Sequence, residues 1–149
     1  MTIFQVDCKK FINQINKLIN GLEDVASEGL EHIALLGAKE ARAHHEYHSY
    51  GGNGLEANTV PYKNSALNQG IIANKYYASW VEYGNGPEGS RIYPVSAKFL
   101  HFWIDGKEIF AKSVAASKPK PFMANAVKFV EENGERIMSQ HLNNFIKGL

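Results

Sequence analysis

Apolar residues recur at helical spacing through the first third of the chain, with charged residues between them: Phe11, Ile15, Leu18, Leu22, Val25, Ile33 and Leu36. This pattern predicts an N-terminal helical segment over residues 1–48. A helix of about 40 residues is roughly 60 Å long, which exceeds the width of a domain of this size. We therefore expect a break or bend near Gly21 or Gly29, or contact of part of the helix with another molecule.

The pattern is lost in residues 49–69, which are rich in glycine and asparagine. This composition predicts a flexible loop. A loop of that length within a compact domain is usually functional, or is ordered by a partner. Its two tyrosines, Tyr50 and Tyr62, are candidate partner contacts, and the alternative is that they fold back on the domain.

Residues 70–116 predict a sheet region that begins with a short strand over residues 70–74. Residues 76–83 fit either a single helical turn or an extended segment. Asp105-Gly106 is a favoured two-residue turn, and it predicts a central hairpin with Phe102 opposite Ile109 and Trp103 opposite Glu108.

The two faces of this hairpin differ in character. Leu100, Phe102, Ile104, Ile109 and Ala111 share one face, which we expect to belong to the core. The other face is aromatic and edged with charge, with Phe99, Trp103 and Phe110 as candidate partner contacts. Either a helix of the same chain or another subunit would cover it.

An apolar stripe and Pro121 at its start predict a C-terminal helix within residues 117–149. The length of 149 residues suits a single domain over residues 1–149. Helices at both ends with strands between them indicate the α+β class, in which the two helices pack on a small antiparallel sheet with a central hairpin.

Composition excludes several classes of function. The chain has 16 basic and 15 acidic side chains, so the surplus of cations that a dedicated nucleic-acid binder uses is missing. No apolar run reaches the roughly 20 residues that span a bilayer, so we expect no membrane association. The charge is uneven, with residues 1–60 at net −3 and residues 88–120 at net +3. Opposite poles suit head-to-tail contact between copies, or neutralise each other within one fold.

Chemistry-bearing motifs are weak. His44 and His48 are one helical turn apart and could share a metal ion, but the His-Glu-x-x-His order of zinc proteases is not present. A solvated helix end is the simpler interpretation. Cys8, the single cysteine, has no neighbouring histidine to activate it. Glu82 lies among aromatic residues, and we expect it to be a hydrogen-bonding structural group. The residues therefore predict no catalytic site, no cofactor and no enzymatic activity.

Four elements in order resemble a known family: Tyr77-Ala78-Ser79-Trp80-Val81-Glu82-Tyr83-Gly84; Ile92-Tyr93-Pro94; the hairpin from Lys98 to Phe110; and Pro119-Lys120-Pro121-Phe122-Met123 leading into the last helix. Over roughly residues 30–147 the chain is similar to the tail-completion, or head–tail joining, proteins of long-tailed bacteriophages and prophages, also described as minor tail components. It departs from them after the first helix, where the Gly/Asn stretch replaces a short Asp-Thr-Gly-x-Leu-like element.

The resemblance implies a structural role at the virion neck, with assembly in the cytoplasm of the bacterial host. Such proteins form rings, commonly of six copies, while the isolated subunit is largely monomeric. Their partners are the head-closure proteins of the neck and the tail tube or tail terminator proteins. Two alternatives remain, a small metal-dependent enzyme that uses His44 and His48, and a binding module of unknown partner.

Overall fold

The computed structural model describes residues 8–44, 54–104 and 106–148. In chain order the elements are α1 (Lys9–Ala43), β1 (Thr59–Ser65), β2 (Asn68–Ala73), α2 (Ala78–Tyr83), β3 (Arg91–Ile92), β4 (Leu100–Ile104), β5 (Lys107–Ala111), β6 (Val114–Ala115) and α3 (Phe122–Lys147). Within the described ranges the strands pair as β1–β2, β3–β6 and β4–β5, each pair antiparallel. Two long helices with small antiparallel sheets confirm the predicted α+β class.

The two long helices pack side by side in opposite directions. Their alignment follows from three glycines of α1, because a Cβ at Gly21, Gly29 or Gly37 would lie within 3 Å of a side chain of α3. The α3 side chains concerned are Phe145, Met138 and Val130. α1 runs through Gly21 and Gly29 without interruption, so the expected break is wrong. These glycines permit close helix packing instead of interrupting the helix.

Helix α1 is shorter than the predicted segment 1–48, since it ends at Ala43 with His44 as its cap. Residues 1–7 and 45–48 of the predicted segment lie outside the described part of the chain. In length α1 still exceeds α3, and because Phe145 lies level with Gly21, α3 ends about level with Ile19. Residues 9–18 therefore extend past the end of α3 by about 15 Å, and we call them the overhang.

The predicted flexible loop over residues 49–69 is wrong for residues 59–65, which form β1 and pair with β2. The pairing partner lies in the predicted strand 70–74, which the structure extends back to Asn68. The β1–β2 hairpin also contacts α1, because the Gln69 amide donates hydrogen bonds to the backbone oxygen and the hydroxyl of Ser27 at 2.9 and 3.1 Å. Cross-strand pairing and this contact with α1 order a segment that its composition assigns to a loop.

One cluster of core side chains lies at the end where α1 finishes and α3 begins. Ala41, Leu55, Phe122 and Ala126 are buried there, and side chains of β2 and α2 pack around them. Further apolar side chains, among them Val25 and Ile137, are buried along the two helices. Phe122 is buried as its apolar character predicts. No helix in the described ranges combines the length and apolar character that a bilayer-spanning segment needs.

Candidate interaction surface

An exposed arm leaves the body of the protein between α2 and α3. It comprises residues 84–121, and no described residue from 83 to 121 is buried. The flanking residues Glu82 and Phe122 are both buried. The arm is therefore an exposed segment of the chain that leaves the core after α2 and returns to it at the start of α3.

Glu82 holds the base of the arm together. Its two carboxylate oxygens accept hydrogen bonds from the backbone N–H groups of Met123 and Ala124, at 2.8 and 2.9 Å. Pro121, the N-cap residue of α3, supplies no side-chain cap, so the carboxylate of α2 satisfies the free N–H groups of this helix. The prediction that Glu82 is a hydrogen-bonding structural group is confirmed.

Backbone contacts close the base further. The N–H of Lys120 donates to the carbonyl oxygen of Val81 at 2.8 Å. Gly84 ends α2 with a φ of +77°, and a Cβ at this position would stand 2.7 Å from the carbonyl oxygen of Ser117. Both the left-handed backbone and the close approach require glycine. The outgoing segment of the arm, at residues 81–84, and the returning segment, at residues 117–120, thus contact each other where the arm leaves the body.

Beyond the base, the arm consists of two short two-stranded sheets, one after the other. β3 pairs with β6, and β4 pairs with β5 nearer the tip. In the second sheet Phe102 lies opposite Ile109, and Trp103 lies opposite Glu108. The predicted hairpin and its register are confirmed. Asp105 lies outside the described residues.

One face of the tip hairpin is less buried than the sequence predicts. Leu100, Phe102, Ile109 and Ala111 are half-buried, and Ile104 is exposed. The expectation that this face belongs to the core is wrong, because β4 and β5 pack mainly on each other and not on α1 or α3.

The opposite face presents uncovered aromatic side chains, and we call it the aromatic face: Phe99, His101, Trp103 and Phe110. Trp103 is 63% exposed, Phe110 is 62% exposed, and Phe99 is also exposed. No helix among the described residues covers this face. The expected cover by a helix of the same chain is therefore not found there, which leaves cover by another subunit as the other expectation.

Two contacts hold the aromatic face in shape. The His101 ring stacks on the Phe110 ring across the strands, with centroids 4.6 Å apart and planes within 3°. The His101 Nε2 lies 2.8 Å from the Glu108 carboxylate, which accepts its hydrogen bond. The His101 and Phe110 rings are thus held against each other, and rings that are already positioned suit the core of a protein–protein interface, since little conformational freedom is lost on binding.

Of the remaining candidate contacts, Tyr62 lies in the described part of the chain, and it is not part of this face. Tyr62 lies on β1, where its ring packs over Gly70 of the neighbouring strand. It is therefore a residue of a strand, and Tyr50 lies outside the described residues. Of the candidate metal ligands, His44 is exposed and its Nδ1–H donates to the Glu40 carbonyl oxygen at 3.0 Å, while His48 lies outside the described residues. Residues 8–44, 54–104 and 106–148 contain no group of three potential metal ligands.

A second set of exposed rings, on and beside α2, was not among the candidate contacts. Tyr76, Trp80 and Tyr83 are all exposed, and Tyr76 meets Trp80 edge to face at 5.9 Å. Their spacing of three and four residues marks one side of a helical turn and was available in the sequence. That spacing could not distinguish a buried side from an exposed one. The arm therefore carries aromatic rings at its tip and adjoins others at its base.

Comparison of the chain with protein-family models, with curated proteins and with solved structures finds no match.

Proposed function

We propose that this chain is a structural subunit of a long-tailed bacteriophage or prophage virion, a tail-completion or head–tail joining protein at the neck. It assembles as a ring, commonly of six copies, between the head-closure proteins and the tail tube or tail terminator. It acts by fitting its surface to these partners and not by catalysis. The ordered motifs between residues 77 and 126 support the choice of family.

The observation that carries the proposal is the uncovered aromatic face on an arm with a fixed base. Aromatic side chains are enriched at protein interfaces because each buries a large area with few rotatable bonds. Trp103 and Phe110 stand near the tip of the arm, away from the core. A neighbouring subunit or a neck protein that covers them would bury this area without refolding the body.

The first experiment removes the gene from the phage. The expected result is the accumulation of filled heads beside unattached tails, seen by electron microscopy. Wild-type protein supplied from a plasmid restores joined particles. Normal infectious particles in the absence of the protein would refute the proposed function.

The second experiment tests the aromatic face by complementation. Trp103→Glu places a charge at the tip end of this face and is expected to leave a folded subunit that does not join heads to tails. Ile104→Glu is the matched control, because Ile104 is also exposed but lies on the opposite face of the same strand. The control is expected to complement. Equal complementation by both variants would exclude the aromatic face as a contact.

A further inference from the structure

Two histidines face each other across the packed helices. His32 lies on α1 and His141 lies on α3, beyond the overhang, where the two helices run side by side. The Nδ1 atom of His32 is 3.1 Å from the Nε2 atom of His141, and the rings meet edge to face with centroids 5.4 Å apart. One of these nitrogens accepts a hydrogen bond from the other, so at least one ring presents a lone pair at this point.

The separation of the two nitrogens is that of two ligands on one metal ion. Zinc binds a histidine nitrogen at about 2.0–2.1 Å, so two such nitrogens stand about 3.3 Å apart in tetrahedral geometry and about 2.9 Å apart at a right angle. The observed 3.1 Å lies between these values. Binding requires a lone pair on both facing nitrogens, which a neutral imidazole provides when its proton moves to the opposite nitrogen of the ring.

The backbones that carry the two rings are held in place. A Cβ at Gly29, three residues before His32, would lie 2.7 Å from the sulfur of Met138 and 3.8 Å from the Cβ of His141. This close contact sets the distance and alignment of α1 and α3 at the level of the pair. Ligands on two packed helices are positioned more precisely than ligands on loops, so little has to rearrange on binding.

The pair is accessible and lies in a region of negative charge. His32 is exposed and His141 is half-buried. α1 carries four acidic residues and no lysine or arginine over residues 23–31. Against these stand Lys63, whose Nζ is 3.7 Å from the Glu31 carboxylate, and Arg136, five residues before His141 on α3. Acidic groups therefore outnumber basic ones here, which favours the approach of a cation.

We propose that His32 and His141 together bind a divalent transition-metal ion of the zinc class, and that the bound ion joins α1 to α3. Imidazole suits zinc, copper and nickel, whereas magnesium and calcium prefer oxygen ligands. Among the described residues no third histidine, cysteine or carboxylate completes the set, so water fills the remaining positions. The ion stabilises the helix pair, and its binding is separate from the proposed function.

The other described histidines serve as controls, because each is paired within its own helix or hairpin. His44 lies 3.5 Å from the Glu40 carboxylate on the same helix, and His101 lies 2.8 Å from the Glu108 carboxylate on the neighbouring strand. An ion at either place would not link α1 to α3.

The test is urea unfolding of the purified protein, followed by circular dichroism with zinc chloride, with magnesium chloride and without either. At a zinc concentration about 100 times the dissociation constant found by calorimetry, the ratio of folded to unfolded protein is expected to rise about 100-fold. The unfolding midpoint then rises by about 1 M urea with zinc and stays unchanged with magnesium. His32→Asn and His141→Asn are each expected to lose the zinc-dependent rise, whereas His44→Asn and His101→Asn keep it.

A second measurement observes the two rings in the unaltered protein. In nitrogen-15 NMR spectra, zinc is expected to shift the Nδ1 resonance of His32 and the Nε2 resonance of His141. This measurement does not depend on the stability of any variant.

Three results would each overturn the inference: a midpoint that zinc does not raise, a rise that both His32→Asn and His141→Asn retain, and ring resonances of His32 and His141 that zinc leaves unmoved. A rise that disappears in His44→Asn and persists in His32→Asn would overturn it as well, and would place the ion at the end of α1. None of these results bears on the proposed function, which the gene deletion tests by itself.

Discussion

Replacement of Glu82 by alanine tests whether a buried carboxylate joins the arm to the body. Glu82 is only 7% exposed, and its two oxygens accept the N–H groups of Met123 and Ala124. A hydrogen bond to a charged group contributes about 1.5–3 kcal/mol. Ala124 is exposed, so water can accept a hydrogen bond from its N–H and replace part of the stabilisation that the carboxylate provided. The expected decrease in the free energy of unfolding for Glu82→Ala is about 2–4 kcal/mol.

The assay is urea unfolding followed by circular dichroism at 222 nm, which reports on α1 and α3. With a slope of about 2 kcal/mol per molar urea, the midpoint is expected to fall by about 1–2 M. Glu82→Gln keeps one acceptor oxygen but lacks the charge, so its midpoint is expected between those of the wild type and the alanine variant. Hydrogen exchange adds a local measurement, because the amides of Met123 and Ala124 should exchange faster in both variants.

Glu88→Ala is the matched control. Glu88 also carries a carboxylate in this region of the chain, and it pairs with Lys118 at 2.7 Å, but both side chains are more than 70% exposed. Exposed ion pairs contribute about 0–1 kcal/mol, so this variant should unfold close to the wild type. If Glu82→Ala and Glu88→Ala unfold at the same urea concentration, Glu82 does not hold the base of the arm.

Three further substitutions probe the packing of the two long helices, with the same urea assay. Phe122→Ala is expected to lower the free energy of unfolding by about 3–5 kcal/mol, because Phe122 is buried in the core and its removal leaves a cavity; a loss below 1 kcal/mol would place it outside the core. Gly134→Ala is expected to raise stability by about 1 kcal/mol, because a Cβ there meets nothing closer than 3.8 Å and alanine favours the helix; destabilisation would mean that the helices are closer than described. Gly37→Val is expected to lower stability by about 1–3 kcal/mol, because a Cβ there would lie 2.6 Å from Ile71 and 2.9 Å from Val130; an unchanged midpoint would show that this contact is loose.

The sequence by itself determined the elements whose signals are local. Helical periodicity located α1 and α3, and Pro121 marked the start of α3 because proline suits a position without a hydrogen-bonded N–H. Asp105-Gly106 fixed the β4–β5 register, because a two-residue turn aligns the strands that flank it. The side chains of the aromatic face were identified in the same way, since alternate residues of a strand share a face.

The tertiary structure decided whatever depends on residues distant in the chain. Residues 59–65 form a strand because β2 supplies their hydrogen bonds. Their own sequence favours a loop, so the local pattern alone could not predict this strand. Gly21 and Gly29 continue α1 instead of ending it, because α3 packs where their side chains would stand. Glu82 caps a helix that begins 40 residues later, and the arm leaves its aromatic face uncovered because its short strands pack mainly on each other. Periodicity shows which side chains share a face, but only the packing of the whole chain determines what lies against that face.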